Sequence, residues 1–278
     1  MKILISGSTG FIGTYLHDHL KKGGHEIIGL SQKGKYKWNL LDNDTPDYLE
    51  KDFFDVLIHL ASFAHERRDT KKVYDQNIKM TRNLINSIKN KCKFIIFFSS
   101  TSVYNEASFK KDIKCTDLAI PYTFYGKSKL HDELIIQGLG IPYAIIRLCP
   151  TISGIGKRDM RKRIYLPFLN ISFTTKNQRS YNFATLESIG LMIDDILIRD
   201  YQRKSIRNHH DGKIYGQDDL LNTLNIQRAR VVIRQPILSF IRIAISLIPF
   251  KQNRIKLKAY YHKLFESNTF NNNVHYVK

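Results

Sequence analysis

Three glycines near the N-terminus of this 278-residue chain constrain its fold more than any other feature. Residues 2–6 are an apolar run that predicts a buried strand, and Gly7, Gly10 and Gly13 follow it directly. Leu16 and Leu20 then share one face of a predicted helix. Glycines allow a tight turn from strand to helix, where a pyrophosphate can approach the unpaired N–H groups of the helix N-terminus. The pattern predicts either a phosphate-binding turn or an ordinary glycine-rich turn that binds nothing.

Apolar runs recur through the first half of the chain. Residues 26–31, 55–61, 93–100 and 141–148 predict further strands, and they are apolar throughout, as parallel strands covered on both faces are. Helical segments lie between them, including one over residues 125–137. Because strands and helices alternate over residues 1–150, we predict an α/β fold, a Rossmann-type doubly wound parallel sheet.

The second half of the chain lacks this alternation. We expect residues 151–278 to form mainly a smaller substrate-binding lobe, with part of residues 178–200 returning to the first domain. Residues 231–250 are strongly apolar, but charged residues and prolines interrupt them, which disfavours a membrane-spanning helix. A core helix of the lobe fits this run better than a segment on a membrane surface. The tail after Ser267 is expected to be loose.

The formal net charge of +19 is the outlier of the composition. It fits nucleic acid, an anionic membrane surface or a phosphate-bearing substrate as the partner. No zinc module, helix-turn-helix or RNA-stacking motif accompanies the charge, so nucleic acid is the weakest of the three. Three cysteines without metal-ligand spacing, and the lack of a signal peptide after Met1, favour a cytoplasmic protein without a metal ion.

A serine, a tyrosine and a lysine form a second candidate site. Ser100 ends the predicted strand 93–100, at the carboxyl edge where ligands bind in open α/β sheets. Tyr125 and Lys129 are four residues apart, so they project from the same helix face. An ammonium beside a phenol lowers the pKa of the phenol, and a serine hydroxyl can orient a substrate oxygen. The set suits proton transfer at a carbonyl or alcohol while a nicotinamide carries a hydride; the alternative is an exposed Tyr and Lys one helical turn apart.

The chain resembles the extended short-chain dehydrogenases/reductases of the NAD(P)-dependent nucleotide-sugar epimerase/dehydratase/reductase group. Residues 6–13, 59–61, 99–104 and 125–129 carry the resemblance, in the order of the family. It implies that Ser100 and Tyr125 are catalytic, with Tyr125 as the acid/base, and that Lys129 supports Tyr125 and holds the nicotinamide ribose. The further cofactor contacts that it implies are Gly7, Gly10, Phe11, Ile12, Gly13, Asn39, Leu60, Ala61 and Ser62. After Arg147 and before the late helix the chain departs from the family's pattern, which leaves the substrate contacts open.

Two details bear on the reaction. Thr101 and Ser102 follow Ser100, where a dehydratase of this group has an Asp-Glu pair, so dehydration is not expected. The strand 26–31 ends without the acid that grips the ribose 2′-OH of NAD, and Ser31, Lys33 and Lys35 are available to a 2′-phosphate. We therefore expect NADP(H) to be favoured over NAD(H); the alternative is a merely basic surface loop.

The resulting hypothesis is an NADPH-dependent reductase of a 4-keto nucleotide sugar, of the UDP- or dTDP-4-keto-6-deoxyhexose type, in the synthesis of surface polysaccharide precursors. The C-terminal part is loosely similar to the hexulose reductases of O-antigen pathways. A nucleotide-sugar 4-epimerase and a non-catalytic NADP-binding regulatory protein are the alternatives, and the intact Ser–Tyr–Lys set counts against the second. A nucleotide-diphosphate sugar is the expected partner. A homodimer and a weak peripheral membrane contact through residues 231–263 are also compatible with the sequence.

Overall fold

The computed structural model describes residues 1–277 except residues 34, 65–69, 105–111, 153–156, 167–169, 178, 228, 251–253, 255–256, 259–260 and 263. The strands of the main sheet are β1 (Lys2–Ser6), β2 (Glu26–Ser31), β3 (Tyr36–Lys37), β4 (Phe54–His59), β5 (Cys92–Ser100), β6 (Tyr143–Leu148), β8 (Ser205–His209) and β10 (Val274–Tyr276). They lie in the order β10-β8-β6-β5-β4-β1-β2-β3. Only β10 is antiparallel to its neighbour, and the predicted strands agree with the observed ones to within two residues.

Helices cover both faces of this sheet. One layer contains α1 (Phe11–Lys22) and α6 (Leu186–Asp195); the other contains α2 (Asp47–Glu50), α3 (Lys71–Ile88) and α4 (Phe124–Gln137). Alternate side chains of β1 point to opposite layers: Ile3 packs in one core cluster with Leu16, whereas Leu4 packs in the other with Leu84. The strands are therefore apolar on both faces, and the predicted Rossmann-type doubly wound sheet is confirmed.

The main sheet takes its last two strands from the C-terminal half of the chain. β8 pairs with β6, although Arg207 and Asn208 interrupt the apolar pattern of the strand. Both polar side chains can be buried there because Arg207 is ion-paired with Asp200 and Asn208 accepts a hydrogen bond from Tyr104. The expectation of a loose tail after Ser267 is wrong. β10 belongs to the sheet, and the side-chain oxygen of Asn272 accepts a hydrogen bond from the His210 amide at 2.9 Å.

The other C-terminal residues build a lobe around two further core clusters. It contains the two-stranded sheet of β7 (Phe173–Thr175) and β9 (Val231–Ile233), and the helices α5 (Lys157–Ile164), α7 (Gln217–Thr223) and α8 (Gln235–Ser246). The expectation that residues 231–250 form a core helix is wrong, because α8 buries only Leu238 and exposes Phe240 and Leu247. Within the described ranges, no helix is both long and apolar enough to cross a bilayer.

Candidate active site

The glycine turn brings backbone atoms closer together than side chains would allow. Gly7 has φ of +74°, in the left-handed region that favours glycine, and a Cβ there would lie 2.9 Å from the amide nitrogen of Ala61. A Cβ on Gly13 would lie 2.2 Å from the carbonyl oxygen of Gly7. α1 starts at Phe11 after the N-cap Gly10, and its first turn carries no acidic residue. Its first amides, those of Phe11, Ile12 and Gly13, have no intrahelical acceptor, so the turn fits a pyrophosphate.

The loop after β2 forms the next part of the sheet edge. Ser31 is buried, and its hydroxyl donates to the backbone carbonyl of Lys33, so this hydroxyl is engaged within the loop. The side chain of Lys33 is exposed. Asn39 accepts a hydrogen bond from Gln32 at 3.0 Å and donates one to Asp42 at 3.0 Å. The side chains of Gln32, Asn39 and Asp42 line a surface pocket of about 360 Å³, together with Lys37 and Trp38.

The loop after β4 is hydrogen-bonded to the neighbouring strand β1 and to helix α3. The amides of Leu60 and Ala61 donate to the Ser6 hydroxyl oxygen, at 3.2 and 3.4 Å. On α3, Asn77 accepts from the amide of Phe63 at 2.8 Å and donates to the hydroxyl of Ser128 on α4 at 3.1 Å. Asn77 therefore holds the loop 60–63 against the helix that carries Tyr125. Asn77 was not among the predicted site residues, although an asparagine among the apolar residues of α3 was an available signal.

Ser100 lies at the carboxyl end of β5, beside the start of α4. Its side-chain oxygen accepts from the amide of Ser102 at 3.1 Å and so caps the 3₁₀ turn Thr101–Val103. The oxygen of Thr123 caps α4 by accepting from the Gly126 amide at 3.0 Å. A Cβ on Gly126 would lie 2.2 Å from the carbonyl oxygen of Ser102. This glycine, which the sequence analysis did not single out, lets α4 approach the turn that follows Ser100.

The side chains of Ser62, Ser100 and Tyr125 meet at this point. Burial raises the pKa of the Tyr125 phenol to about 12, although the hydroxyls of Ser100 and Ser62 beside it act in the opposite direction. The expectation that the pKa of this phenol is lowered is therefore wrong, because the surrounding protein groups together raise it. The raised pKa keeps Tyr125 protonated at neutral pH, which is the form that donates a proton.

Lys129 is buried, and its ammonium group is hydrogen-bonded to the backbone of β5. Its Nζ donates to the carbonyl oxygen of Phe98 at 2.9 Å and lies 6.0 Å from the centre of the Tyr125 ring. Burial lowers the pKa of Lys129 to about 8, and the negative charges of Asp132 and Glu133 partly offset this effect. Asp132 is itself 1% exposed, and burial raises the pKa of its carboxyl to about 7. Lys129 therefore lies in a buried group of titrating residues at the base of the site.

A buried ion pair fixes α4 to the strands beneath it. Arg147 on β6 donates to both carboxylate oxygens of Glu133, at 3.1 and 2.8 Å, and the Ser99 hydroxyl donates to the same carboxylate at 2.5 Å. Arg147 also donates to the hydroxyl of Tyr104 at 3.0 Å. The Tyr104 hydroxyl donates to Asn208 on β8 at 2.6 Å. The network holds Ser99, and with it Ser100, in a fixed position relative to α4.

The candidate residues follow four strands that are adjacent in the sheet. β5, β4, β1 and β2 lie side by side, and Ser100, the loop 60–62, the glycine turn and the loop 31–39 follow their carboxyl ends. This edge includes the switch point between β1 and β4, where open α/β sheets bind nucleotides. An extended dinucleotide would fit this edge, and the glycine turn would hold its diphosphate. Across the described residues, no cluster of His, Cys, Asp and Glu is arranged to hold a metal ion.

Comparison with known proteins agrees with this arrangement. The chain is 26% identical over 232 residues to a dTDP-D-glucose 4,6-dehydratase of Dictyostelium discoideum, covering 70% of this chain and 54% of that protein. The chain therefore spans about half the length of this curated relative. The solved UDP-glucuronic acid 4-epimerase of Bacillus cereus, in complex with NAD, superposes with a TM-score of 0.66 and 18% identity over 95% of this chain and 97% of that one. A dTDP-4-dehydrorhamnose reductase of Yersinia enterocolitica does so with a TM-score of 0.63 and 20% identity over 84% of this chain and 83% of that one.

The two solved structures establish the likeness of the fold, and the family is shown by the sequence itself. Residues 3–171, which include the glycine turn, Ser100, Tyr125, Lys129 and Arg147, match the NAD dependent epimerase/dehydratase family. The match covers more than half of the chain and all the strands that carry the candidate site. The chain belongs to the NAD dependent epimerase/dehydratase family.

Proposed function

We propose that this protein is an NADPH-dependent reductase of a 4-keto nucleotide sugar. The observation that carries the proposal is the meeting of the Tyr125 hydroxyl with Ser62 and Ser100, at the sheet edge that fits a dinucleotide. The nicotinamide supplies a hydride to the carbonyl carbon when it is bound. Tyr125 donates its hydroxyl proton to the carbonyl oxygen, and Ser100 positions that oxygen by a hydrogen bond. The product is the alcohol, and Tyr125 regains its proton from solvent.

The protonation of Tyr125 supports reduction. A group that delivers a proton must hold it at the working pH, and a pKa of about 12 keeps the phenol protonated. Lys129, at a pKa of about 8, carries its charge at neutral pH and stabilises the phenolate that forms in the transition state. Thr101 and Ser102 follow Ser100, so the chain has no carboxylate there to drive elimination.

The loop after β2 supports NADP(H) over NAD(H). The strand ends at Ser31, and Lys33 and Lys35 follow it with exposed side chains and no acidic residue between them. Lysines favour the 2′-phosphate of NADP, whereas an acid at this place would bind the 2′-hydroxyl of NAD. Asn39 and the pocket around it are suited to the adenine.

The nucleotide diphosphate of the substrate would meet basic residues of the lobe. α5 begins shortly after β6, and its Arg161 and Lys162 are exposed. Positive side chains near the site favour a diphosphate, in line with the net charge of +19.

We also propose a cytoplasmic enzyme that works as a homodimer in the synthesis of surface polysaccharide precursors, including those of O-antigen. The three free cysteines Cys92, Cys115 and Cys149 support a reducing compartment.

The second candidate function is a nucleotide-sugar 4-epimerase, favoured by the superposition with the UDP-glucuronic acid 4-epimerase.

One experiment distinguishes these functions. Purified protein is incubated with NADPH and a panel of UDP- and dTDP-4-keto-6-deoxy sugars, and the absorbance of NADPH is followed. A reductase consumes one NADPH for each sugar converted. Interconversion of 4-epimers without net NADPH consumption would establish the epimerase instead. Binding of NADPH with no turnover on any sugar would favour a non-catalytic protein.

A further inference from the structure

The helix α8 has apolar side chains on two opposite faces. Leu238 is buried in the lobe, and Ile241 and Ile245 are half-buried against the same cluster of Phe173, Tyr261, Leu264 and Phe265. The opposite face carries Ile237, Phe240, Ile243 and Leu247, here called the α8 patch. Their spacing of three or four residues places them on one side of the helix. They are 53–75% exposed, so the lobe covers one apolar face of α8 and leaves the other in water.

The chain segment that contains α8 carries only positive charge. No acidic residue occurs between Asp219 and Glu266, whereas residues 228–263 contain nine lysines and arginines. Arg234 precedes the first turn of α8, and Arg242 lies within the helix; both are exposed. An exposed apolar helix face in a segment that is basic and free of acidic residues matches the surface of an anionic membrane, where acyl chains lie beneath negatively charged headgroups.

We propose that α8 docks the protein on an anionic membrane surface, with the α8 patch inserted at the boundary of headgroups and acyl chains. The 12-residue helix is about 18 Å long at 1.5 Å per residue, too short to span a bilayer but suited to lie in its plane. A second copy of the chain fits the patch less well, because a two-fold contact would bring together two segments that are both basic and contain no acidic residue. A nucleic acid would leave the large apolar side chains of the patch exposed to water. This inference does not depend on the proposed reaction.

The test is sedimentation of the full-length protein with vesicles of phosphatidylcholine, either alone or mixed with phosphatidylglycerol. The protein should pellet with the mixed vesicles, and added salt should release it, because exposed charges are screened over about 8–10 Å at physiological ionic strength. The double variant Phe240→Gln/Leu247→Gln should lower the vesicle partition coefficient at least about tenfold, since burying each side chain favours binding by more than that factor. The variant Arg234→Gln/Arg242→Gln should weaken binding to the mixed vesicles about fivefold or more.

The matched control is Leu191→Gln/Ile198→Gln, which removes two apolar side chains that are 69% and 80% exposed elsewhere on the surface. It should bind vesicles as the unaltered protein does. All variants should keep the thermal unfolding midpoint, because each replaced side chain is exposed. The proposal is overturned if the unaltered protein stays in the supernatant with both vesicle types, or if the control weakens binding as much as the patch variant. It is also overturned if light scattering without vesicles shows self-association that the patch variant alone abolishes, which would make the patch a contact between copies.

Discussion

Replacing Gly126 by alanine tests whether the close approach of α4 to the turn after β5 sets the geometry of the site. The new Cβ would lie 2.2 Å from the carbonyl oxygen of Ser102, whereas ordinary contacts begin at 3.4 Å. The helix and the turn must therefore separate by about 1.2 Å, the difference of these two distances. Tyr125 precedes Gly126, and Ser100 lies two residues before Ser102, so the movement separates the two hydroxyls. A misplacement of about 1 Å can cost about 100-fold in rate.

We expect Gly126→Ala to lower kcat/KM about 100-fold on the sugar that the substrate panel identifies. Overpacking should also lower the free energy of unfolding by about 1–3 kcal/mol. NADPH affinity should change much less, because the glycine turn is untouched. Rates come from NADPH absorbance, affinities from calorimetric titration and stabilities from urea unfolding.

Gly138→Ala is the control on the same helix. Gly138 follows the last turn of α4 with φ of −76° and ψ of −6°, which alanine adopts readily, and its Cβ would lie 3.5 Å from the carbonyl oxygen of Leu134, an ordinary contact. This variant should keep its turnover and be unchanged or more stable by about 0.4–1 kcal/mol. Near-normal turnover of Gly126→Ala, or an equal loss in both variants, would refute the reasoning.

Further predictions concern the acid, the cofactor and pH. Tyr125→Phe should lower turnover about 10²–10⁴-fold and leave calorimetric NADPH affinity nearly intact, and retention of more than about a third of the activity would contradict the assignment. Lys129→Ala should lower both quantities, and loss of only one would argue against its double role. Lys33→Ala/Lys35→Ala should weaken NADPH binding about tenfold or more without changing NADH binding; equal losses would exclude a 2′-phosphate contact. Burial lowers the pKa of His59 to about 3, so the folded state stays neutral while the unfolded chain gains a proton below about pH 6.5, and stability falls with falling pH. His59→Gln should reduce that slope in urea unfolding by up to about 1.4 kcal/mol per pH unit, and an unchanged slope would contradict the shift.

The candidate site is built from residues that differ in how visible they are in the sequence. Gly7, Gly10 and Gly13 announce a turn by spacing alone, because each must avoid a clash with backbone a few residues away or in the next loop. Tyr125 and Lys129 share a helix face for another local reason, since residues four apart lie about one helical turn from each other. Asn77 is visible in the sequence only as an asparagine among the apolar residues of α3, and Gly126 shows no comparable pattern. Their importance lies in contacts with Phe63, Ser128 and Ser102, which come from other elements of the fold.

Local patterns in the sequence determined five strands of the Rossmann-type part, β1, β2, β4, β5 and β6: apolar runs indicated strands buried on both faces, and glycines indicated the turn where β1 meets α1. These signals are local because strand burial and turn geometry depend on neighbouring residues. Tertiary structure alone decided that β8 and β10 complete the sheet, because Asn208 of β8 and Tyr276 of β10 find their hydrogen-bond partners, Tyr104 and Asp200, far along the chain. It also raised the pKa of Tyr125, since burial of the phenol outweighs the effect of the neighbouring serine hydroxyls. The exposed face of α8 was decided in the same way, because an apolar helix does not reveal from its own residues which of its faces the rest of the protein will cover.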